Sequence, residues 1–231
     1  MMQLPLVETN NGSVVVRIQN EERWYTRQPL PHAFVEWQIN ERLSLYKLLE
    51  QGGRPMFLAP HLPTLITVHR DYHDFPLNAA NKGVGLVPVN DLLPPLIQQI
   101  GSILSEIQTL DFKESLPKRL EALTLLYGDQ ETIDYHLLGG LEIFETQSFT
   151  NIVQDPRVSL FFVGGAPNYQ SYQINCIAEI VSPPDKFYEF VSSMRALFEP
   201  AQFHYQQPMY PYAIKYHVVQ IFDKSLQVRE R

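Results

Sequence analysis

The sequence predicts an α+β fold in which residues 116–231 form an antiparallel sheet. Apolar residues alternate with polar ones in short segments from about residue 132 onwards, and turn residues separate these segments. Two amphipathic helical segments precede them, at 91–107 and 113–126. Residues 1–115 mix strand and helix patterns in no comparable order, so we interpret them as an α/β extension of unknown role.

Composition and charge narrow the class of protein. The 231 residues are 45% hydrophobic and 19% charged, with a net charge of −7 and a pI near 5.5. These proportions are typical of a globular protein, and the acidic balance argues against nucleic acid or an anionic membrane as the main partner. No segment reaches the about 18 consecutive apolar residues of a membrane-spanning helix, and the N-terminus lacks the features of a signal peptide. We therefore expect a cytoplasmic protein.

The elements of the first half follow from local patterns. We predict a β-hairpin over 13–19 and 23–27 and a helix over 33–50 that Gly52 and Gly53 end. Two further strands are predicted over 64–69 and 83–89. Asp91 is the expected N-cap of the helix at 91–107, where Pro94 and Pro95 are tolerated in the first turn.

The second half is rich in strands. Gly139 and Gly140 predict a tight turn between strands 132–138 and 141–146. A short polar or helical stretch follows over 147–155, and then strands over 156–163 and 169–181. Pro183, Pro184 and Asp185 start a helix that extends to about 198, and a final strand pair occupies 213–222 and 226–229. Both faces of the strand at 156–163 are mostly apolar, so we expect it to be covered on both sides. The single cysteine, Cys176, excludes an intramolecular disulfide, and we expect it in the core.

Three stretches of the second half resemble a known family when taken in order. They are LEIFETQSFTNIVQDPRVSLFFV at 141–163, YQSYQINCIAEIV at 169–181 and AIKYHVVQIFDKSLQVRE at 213–230. Their order and residue patterns resemble those of the FMN-binding split β-barrel family of pyridoxamine-phosphate-oxidase-like proteins, over about half of the chain. The resemblance implies a split β-barrel over 116–231 and a homodimer that holds FMN in the groove between two barrels. It also implies a flavin-dependent oxidoreductase activity on an unknown small molecule.

The resemblance also implies a phosphate-binding site. Thr146, Ser148 and Asn151 occupy positions that match the family's cofactor-binding segment. A lysine is expected where this chain has Thr150, so Arg157 becomes the side chain that we expect on the phosphate. No catalytic side chain is indicated, because in such proteins the cofactor carries the chemistry.

The charge of the neighbouring strands favours an alternative. Residues 132–146 contain Asp134, Glu142 and Glu145 and neither Arg nor Lys, which is the wrong sign for a phosphate. A barrel that binds no flavin and acts as a binding or regulatory module, for haem or a protein partner, therefore stays open beside the flavin hypothesis.

Two further segments contain residues with functional potential. His61, His69 and His73 lie near Asp71 and Asp74, but the pattern of a strand running into a loop does not place them as metal ligands, so no metal site is predicted. The aromatic loop at 203–212 is either a lid over a flat ligand or, as we favour, a loop packed on the sheet.

Overall fold

The computed structural model describes residues 4–10, 12–18, 21–53, 61–70, 74–165, 169–197 and 209–226. Within these residues, the strands are β1 (Val7–Asn10), β2 (Ser13–Ile18), β3 (Glu21–Thr26), β4 (Thr64–Val68), β5 (Leu77–Asn81), β6 (Gly85–Pro88), β7 (Ile133–Glu142), β8 (Arg157–Val163), β9 (Ser171–Val181) and β10 (Tyr212–Asp223). The α-helices are α1 (His32–Glu50), α2 (Leu93–Glu106), α3 (Phe112–Tyr127), α4 (Gln147–Gln154) and α5 (Lys186–Ala196). No helix in this part of the chain is long and apolar enough to cross a membrane.

Seven strands form one antiparallel sheet in the order β5-β4-β8-β9-β10-β7-β6. The mixed α/β architecture with an antiparallel sheet agrees with the prediction. The sheet is not confined to residues 116–231, however, because β4 pairs with β8 and β6 pairs with β7. Among the described strands, the edge strands β5 and β6 do not pair with each other, so the sheet is open. The sequence missed β5 because five residues, LNAAN, carry almost no apolar alternation.

Helices cover the inner face of this sheet. Phe34 of α1 lies edge-on against Phe162 of β8 and Tyr172 of β9, with ring centroids 5.1 and 5.2 Å apart. The inner-facing residues of the central strands are buried with them, namely Val158, Leu160, Ile174, Cys176, Ala178, Ile214, Tyr216 and Val218. The core position predicted for Cys176 is confirmed, and burial raises the pKa of its thiol.

The outer face of β8 is less covered than predicted. Ser159 and Phe161 are partly exposed, and Val163 is 54% exposed. Apolar residues on both faces of a strand therefore did not mean burial on both faces.

The predicted hairpin at Gly139 and Gly140 is wrong, because β7 runs straight through both glycines. Each glycine serves close packing instead of a turn. A Cβ at Gly139 would lie 2.6 Å from Cγ1 of Val87, and a Cβ at Gly140 would lie 2.4 Å from the carbonyl oxygen of Gly83. A glycine pair in an alternating segment can thus mark a close approach of two backbones as well as a turn.

The helix starts were only partly predictable. Helix α5 begins as expected, with the Asp185 side chain accepting a 2.8 Å hydrogen bond from the backbone N–H of Phe187. Helix α2 does not use Asp91 as its N-cap: a 3-10 turn occupies Asn90–Leu92 and no side chain caps the helix. The last predicted strand, 226–229, lies almost wholly outside the described residues.

The N-terminal hairpin is confirmed and gains a third strand. Strands β1, β2 and β3 form a small sheet. Its apolar residues Val14, Val16 and Ile18 are buried against Ile177 on the outer face of the main sheet. The two sheets therefore lie face to face near the start of β8, since Ile177 is the cross-strand partner of Arg157.

Candidate functional site

Ser148 and Asn151 lie in a buried polar network beneath helix α4. The amide of Asn151 donates to the Thr67 hydroxyl at 2.9 Å, and the amide of Asn78 donates to the Ser148 hydroxyl at 3.0 Å. Ser148, Asn151 and Thr67 are at most 1% exposed. Buried polar groups need such partners, so these contacts fasten α4 to the β4–β5 hairpin.

Thr146 and Arg157 flank helix α4, Thr146 before its first residue and Arg157 shortly after its last. Thr146 is the exposed N-cap of α4 and makes no side-chain cap hydrogen bond. Arg157 follows the other end of this helix, whose eight residues span about 12 Å. Alternation along the strand directs Arg157 to the outer face of the sheet, whereas Asn151 contacts the inner face. The structure thus brings Ser148 and Asn151 together and separates both from Arg157.

Arg157 is held by the buried carboxylate of Asp155. Its Nε and Nη2 donate to the two oxygens of Asp155 at 2.9 and 2.6 Å. Arg70, from the first half of the chain, donates to the same carboxylate at 2.8 and 3.2 Å. The Asp155 side chain is 1% exposed, that of Arg70 is 18% exposed and that of Arg157 is 42% exposed.

These contacts set the charge of the cluster. Burial raises the pKa of Asp155, but the hydrogen bonds from Arg157 and Arg70 outweigh it and leave the pKa below its ordinary value. The hydrogen bond to Asp155 in turn raises the pKa of Arg157. One ionised carboxylate therefore faces two guanidinium groups, and the balance is positive in a chain whose net charge is −7.

The acidic residues of β7 are less repulsive to an anion than the sequence suggested. Lys82 forms a 2.9 Å ion pair with the fully buried Glu142, which also accepts hydrogen bonds from the backbone N–H groups of Phe144 and Glu145. Arg27 lies 3.7 Å from Asp134. Both cations come from the first half of the chain, so the sequence of the strand alone overstates its negative charge.

An apolar strip lies beside Arg157 on the outer face. Ile66 is partly exposed, while Val68 and its cross-strand partner Leu77 are 37% and 67% exposed. Because β4 pairs with β8, this strip runs along the strand that begins with Arg157. Positive charge next to exposed apolar surface can bind a flat ring that carries an anionic group.

Sequence reasoning missed Arg70, Thr67 and Asn78. All three lie in the first half, and their partners are 70 to 85 residues away in the sequence. The only available signal was that Thr67 and Arg70 fall on or next to the predicted strand at 64–69. Of the other candidate residues, His73 and Asp71 lie outside the described residues, as does most of the aromatic loop at 203–212.

No family model and no curated protein matches the sequence. Among solved structures, an FMN-binding protein from Syntrophomonas wolfei matches with a TM-score of 0.41 at 10% identity, over 84% of this chain and 94% of that one. A Listeria innocua protein provisionally described as a pyridoxamine 5'-phosphate oxidase matches with a TM-score of 0.40 at 11% identity, over 80% and 97%. HupZ of Group A Streptococcus matches with a TM-score of 0.39 at 13% identity, over 71% and 85%. The matched structures thus include pyridoxamine-phosphate-oxidase-like, FMN-binding proteins, the family that the sequence resembles.

Proposed function

We propose that this protein is a flavin-binding oxidoreductase-like protein that holds FMN on the outer face of the main sheet. The observation that carries the proposal is Arg157, a partly exposed guanidinium in a cluster of positive balance beside an apolar strip. The guanidinium fits the phosphate of FMN, and the strip at Ile66, Val68 and Leu77 fits its apolar ring. The bound flavin would supply the electron-transfer chemistry, and the protein would supply position and electrostatics.

The four residues matched to the family have different roles in this proposal. Arg157 contacts the phosphate directly. Ser148 and Asn151 already bond Asn78 and Thr67, so they act by fixing α4 and through it Asp155. Thr146, exposed at the N-terminus of α4, is available only to a part of the ligand far from Arg157.

A homodimer in the cytoplasm is part of the same proposal. The outer face beside Arg157 exposes Leu77 and, just before β5, Phe75, which are 67% and 83% exposed. A second copy of the chain would cover such apolar side chains and close a groove over a flat ligand. Light scattering at tens of micromolar tests this part separately, and a monomer would contradict it.

The alternative is a module that binds no flavin. Two observations favour it: Ser148 and Asn151 use their polar groups within the fold, and Thr150 stands where the family has a lysine. Haem or a protein partner would then occupy the outer face.

The absorbance spectrum of freshly purified protein, followed by titration with FMN, separates these functions. We expect a flavin spectrum or quenching of FMN fluorescence on binding. We expect Arg157→Ala to weaken FMN binding by about one to two decades, because it removes a charge-assisted hydrogen bond that contributes about 1.5–3 kcal/mol. A Soret band would favour the haem reading. No flavin bound and no quenching would contradict the proposed function.

A further inference from the structure

The small N-terminal sheet lies directly beside Arg157. Ile177, the cross-strand partner of Arg157, is buried against Val14 and Val16 of β2. The partners of these two valines on β3 are Tyr25 and Arg23. Since alternate residues of paired strands share a face, Tyr25 and Arg23 are on the side of the small sheet that faces the main sheet.

The side of the small sheet that carries Tyr25 and Arg23 faces the main sheet where Arg157 begins β8. The pKa of Arg157 is raised chiefly by its hydrogen bond to Asp155 and to a smaller extent by the nearby Tyr25 side chain. The pKa of Arg23 is raised by hydrogen bonds with Glu21 and then Tyr25, while the nearby charge of Arg157 lowers it. Both shifts agree with the position near Arg157 that the strand register gives to Tyr25 and Arg23.

The cluster has a surplus of positive charge and of hydrogen-bond donors. It contains the guanidinium groups of Arg23, Arg70 and Arg157 against the carboxylates of Glu21 and Asp155, which leaves one net positive charge. A guanidinium has five N–H donors, and Arg70 and Arg157 each use only Nε and Nη2 on Asp155.

The guanidinium groups of Arg23 and Arg157 are accessible, whereas that of Arg70 is mostly covered. The side chains of Arg23 and Arg157 are 41% and 42% exposed, whereas Asp155 is sealed beneath them at 1%. A ligand can therefore reach the donors without approaching the Asp155 carboxylate.

We propose that Arg23, Tyr25, Arg70 and Arg157 form one binding site for a phosphoryl group, built from β3, the end of β4 and the start of β8. A phosphate monoester has three terminal oxygens in a tetrahedral arrangement, so it can accept from donors that approach from several directions. A carboxylate has two oxygens in one plane and would leave part of the cluster without a partner. That the ligand is FMN rests on the proposed function; that the site binds phosphate does not.

Substitutions in the small sheet test the site while keeping Asp155 paired. Tyr25→Phe removes only a hydroxyl, and Arg23→Gln removes a partly exposed charge, so neither should unfold the protein. Arg17→Gln is the matched control, because Arg17 is an exposed arginine of the same sheet between Val16 and Ile18, which point to the opposite side. Circular dichroism verifies that each variant is folded.

Calorimetric titration with inorganic phosphate, and fluorescence titration with FMN and riboflavin, are then compared. We expect Tyr25→Phe to weaken phosphate and FMN about threefold and Arg23→Gln about tenfold, with riboflavin and Arg17→Gln unaffected. Phosphate binding that depends on Arg23 and Tyr25 without any flavin binding would support the site and contradict the flavin function.

A different binding result would overturn the phosphoryl site without affecting the flavin function. FMN binding of equal strength in wild type, Tyr25→Phe and Arg23→Gln would overturn the phosphoryl site and leave the flavin function standing. No binding of either phosphate or FMN would overturn both.

Discussion

The two parts of the chain contribute different kinds of strand to the main sheet. Strands β7 to β10, from residues 133–223, are 7 to 12 residues long and occupy its centre. Strands β4 to β6, from residues 64–88, are 4 or 5 residues long and occupy both edges. Central strands carry the clear apolar alternation, whereas edge strands are short, as is common at sheet edges. Residues 64–88, whose apolar pattern is weak, thus complete a sheet whose central strands have a clear apolar pattern.

In the buried ion pairs between the two parts of the chain, each part also has a different role. The second half supplies buried acceptors, Glu142 and Asp155, and the first half supplies their cations, Lys82 and Arg70. The candidate site is therefore shared, although every residue that the sequence assigned to it lies in the second half. The predictions below test how far the two parts depend on each other.

The largest effect is expected from separating the parts at residue 115. The boundary between 1–115 and 116–231 stays a prediction, and the fragment 116–231 tests it. We expect this fragment not to fold, because it loses both edge pairings of the sheet and the core contacts of Phe34 and Leu65. Circular dichroism during thermal unfolding would show no cooperative transition. A cooperative transition in the isolated fragment would establish it as an independent domain.

Gly140→Ala tests the close approach of β7 to the preceding part of the chain. Its Cβ would lie 2.4 Å from the carbonyl oxygen of Gly83, and backbone cannot move aside as a flexible side chain can. We expect a loss towards the upper end of about 1–3 kcal/mol in the free energy of unfolding, measured with urea. Gly101→Ala in α2 is the control, since nothing lies within 4 Å of its Cβ position. That substitution should stabilise the helix by up to about 1 kcal/mol.

Asn151→Ala tests the polar link between α4 and β4. The buried Thr67 hydroxyl would lose its 2.9 Å donor, and the loss should cost about 1–2 kcal/mol of unfolding free energy. Thr150→Ala, the exposed neighbour on the same helix, should change it by less than about 0.5 kcal/mol. Equal stabilities of the two variants in urea would show that the network does not hold the parts together.

The pH dependence of stability tests the pairing of Asp155 with Arg157 and Arg70. The pKa of Asp155 is lower in the folded than in the unfolded protein, so its contribution is present above the unfolded pKa of about 4. The contribution is lost as pH falls through the folded pKa. Asp155→Asn should therefore be less stable than wild type at pH 7, and the difference should shrink below about pH 4. A difference that is constant between pH 7 and pH 3 would contradict the assignment.

The smallest effect on stability is expected from Thr150→Lys, which lies wholly within the second half. Thr150 is exposed, so the free energy of unfolding should stay within about 0.5 kcal/mol. FMN affinity should also be unchanged, because α4 packs on the inner face of the sheet and the proposed phosphate position at Arg157 is on the outer face. FMN binding that is about tenfold tighter, or about 1.4 kcal/mol, would place the phosphate at α4, as the family resemblance implies, and contradict the position at Arg157.

The helices and strands that were predicted correctly are those whose sequence signals lie within or next to their own residues. Helices α1, α3 and α5 and strands β8 and β9 have apolar periodicity or a capping residue within their own segments, such as Asp185 before α5. Gly139 and Gly140 misled the prediction because the same residue serves a turn and a close backbone contact. The sequence carries no sign of which of the two applies until Val87 and Gly83 are placed beside them.

The sequence by itself determined the mixed α and β class with an antiparallel sheet, the order of the central strands along the chain and the core position of Cys176. The role of Arg157 as an anion ligand stays a prediction. The tertiary structure decided which face of the sheet Arg157 occupies and which residues join it. Arg70 meets Asp155 across 85 residues, and Tyr25 lies on the side of the small sheet that faces Arg157 because that sheet packs against Ile177. Such partners are fixed by pairing between distant strands, and a residue's own neighbours in the sequence carry no record of that pairing.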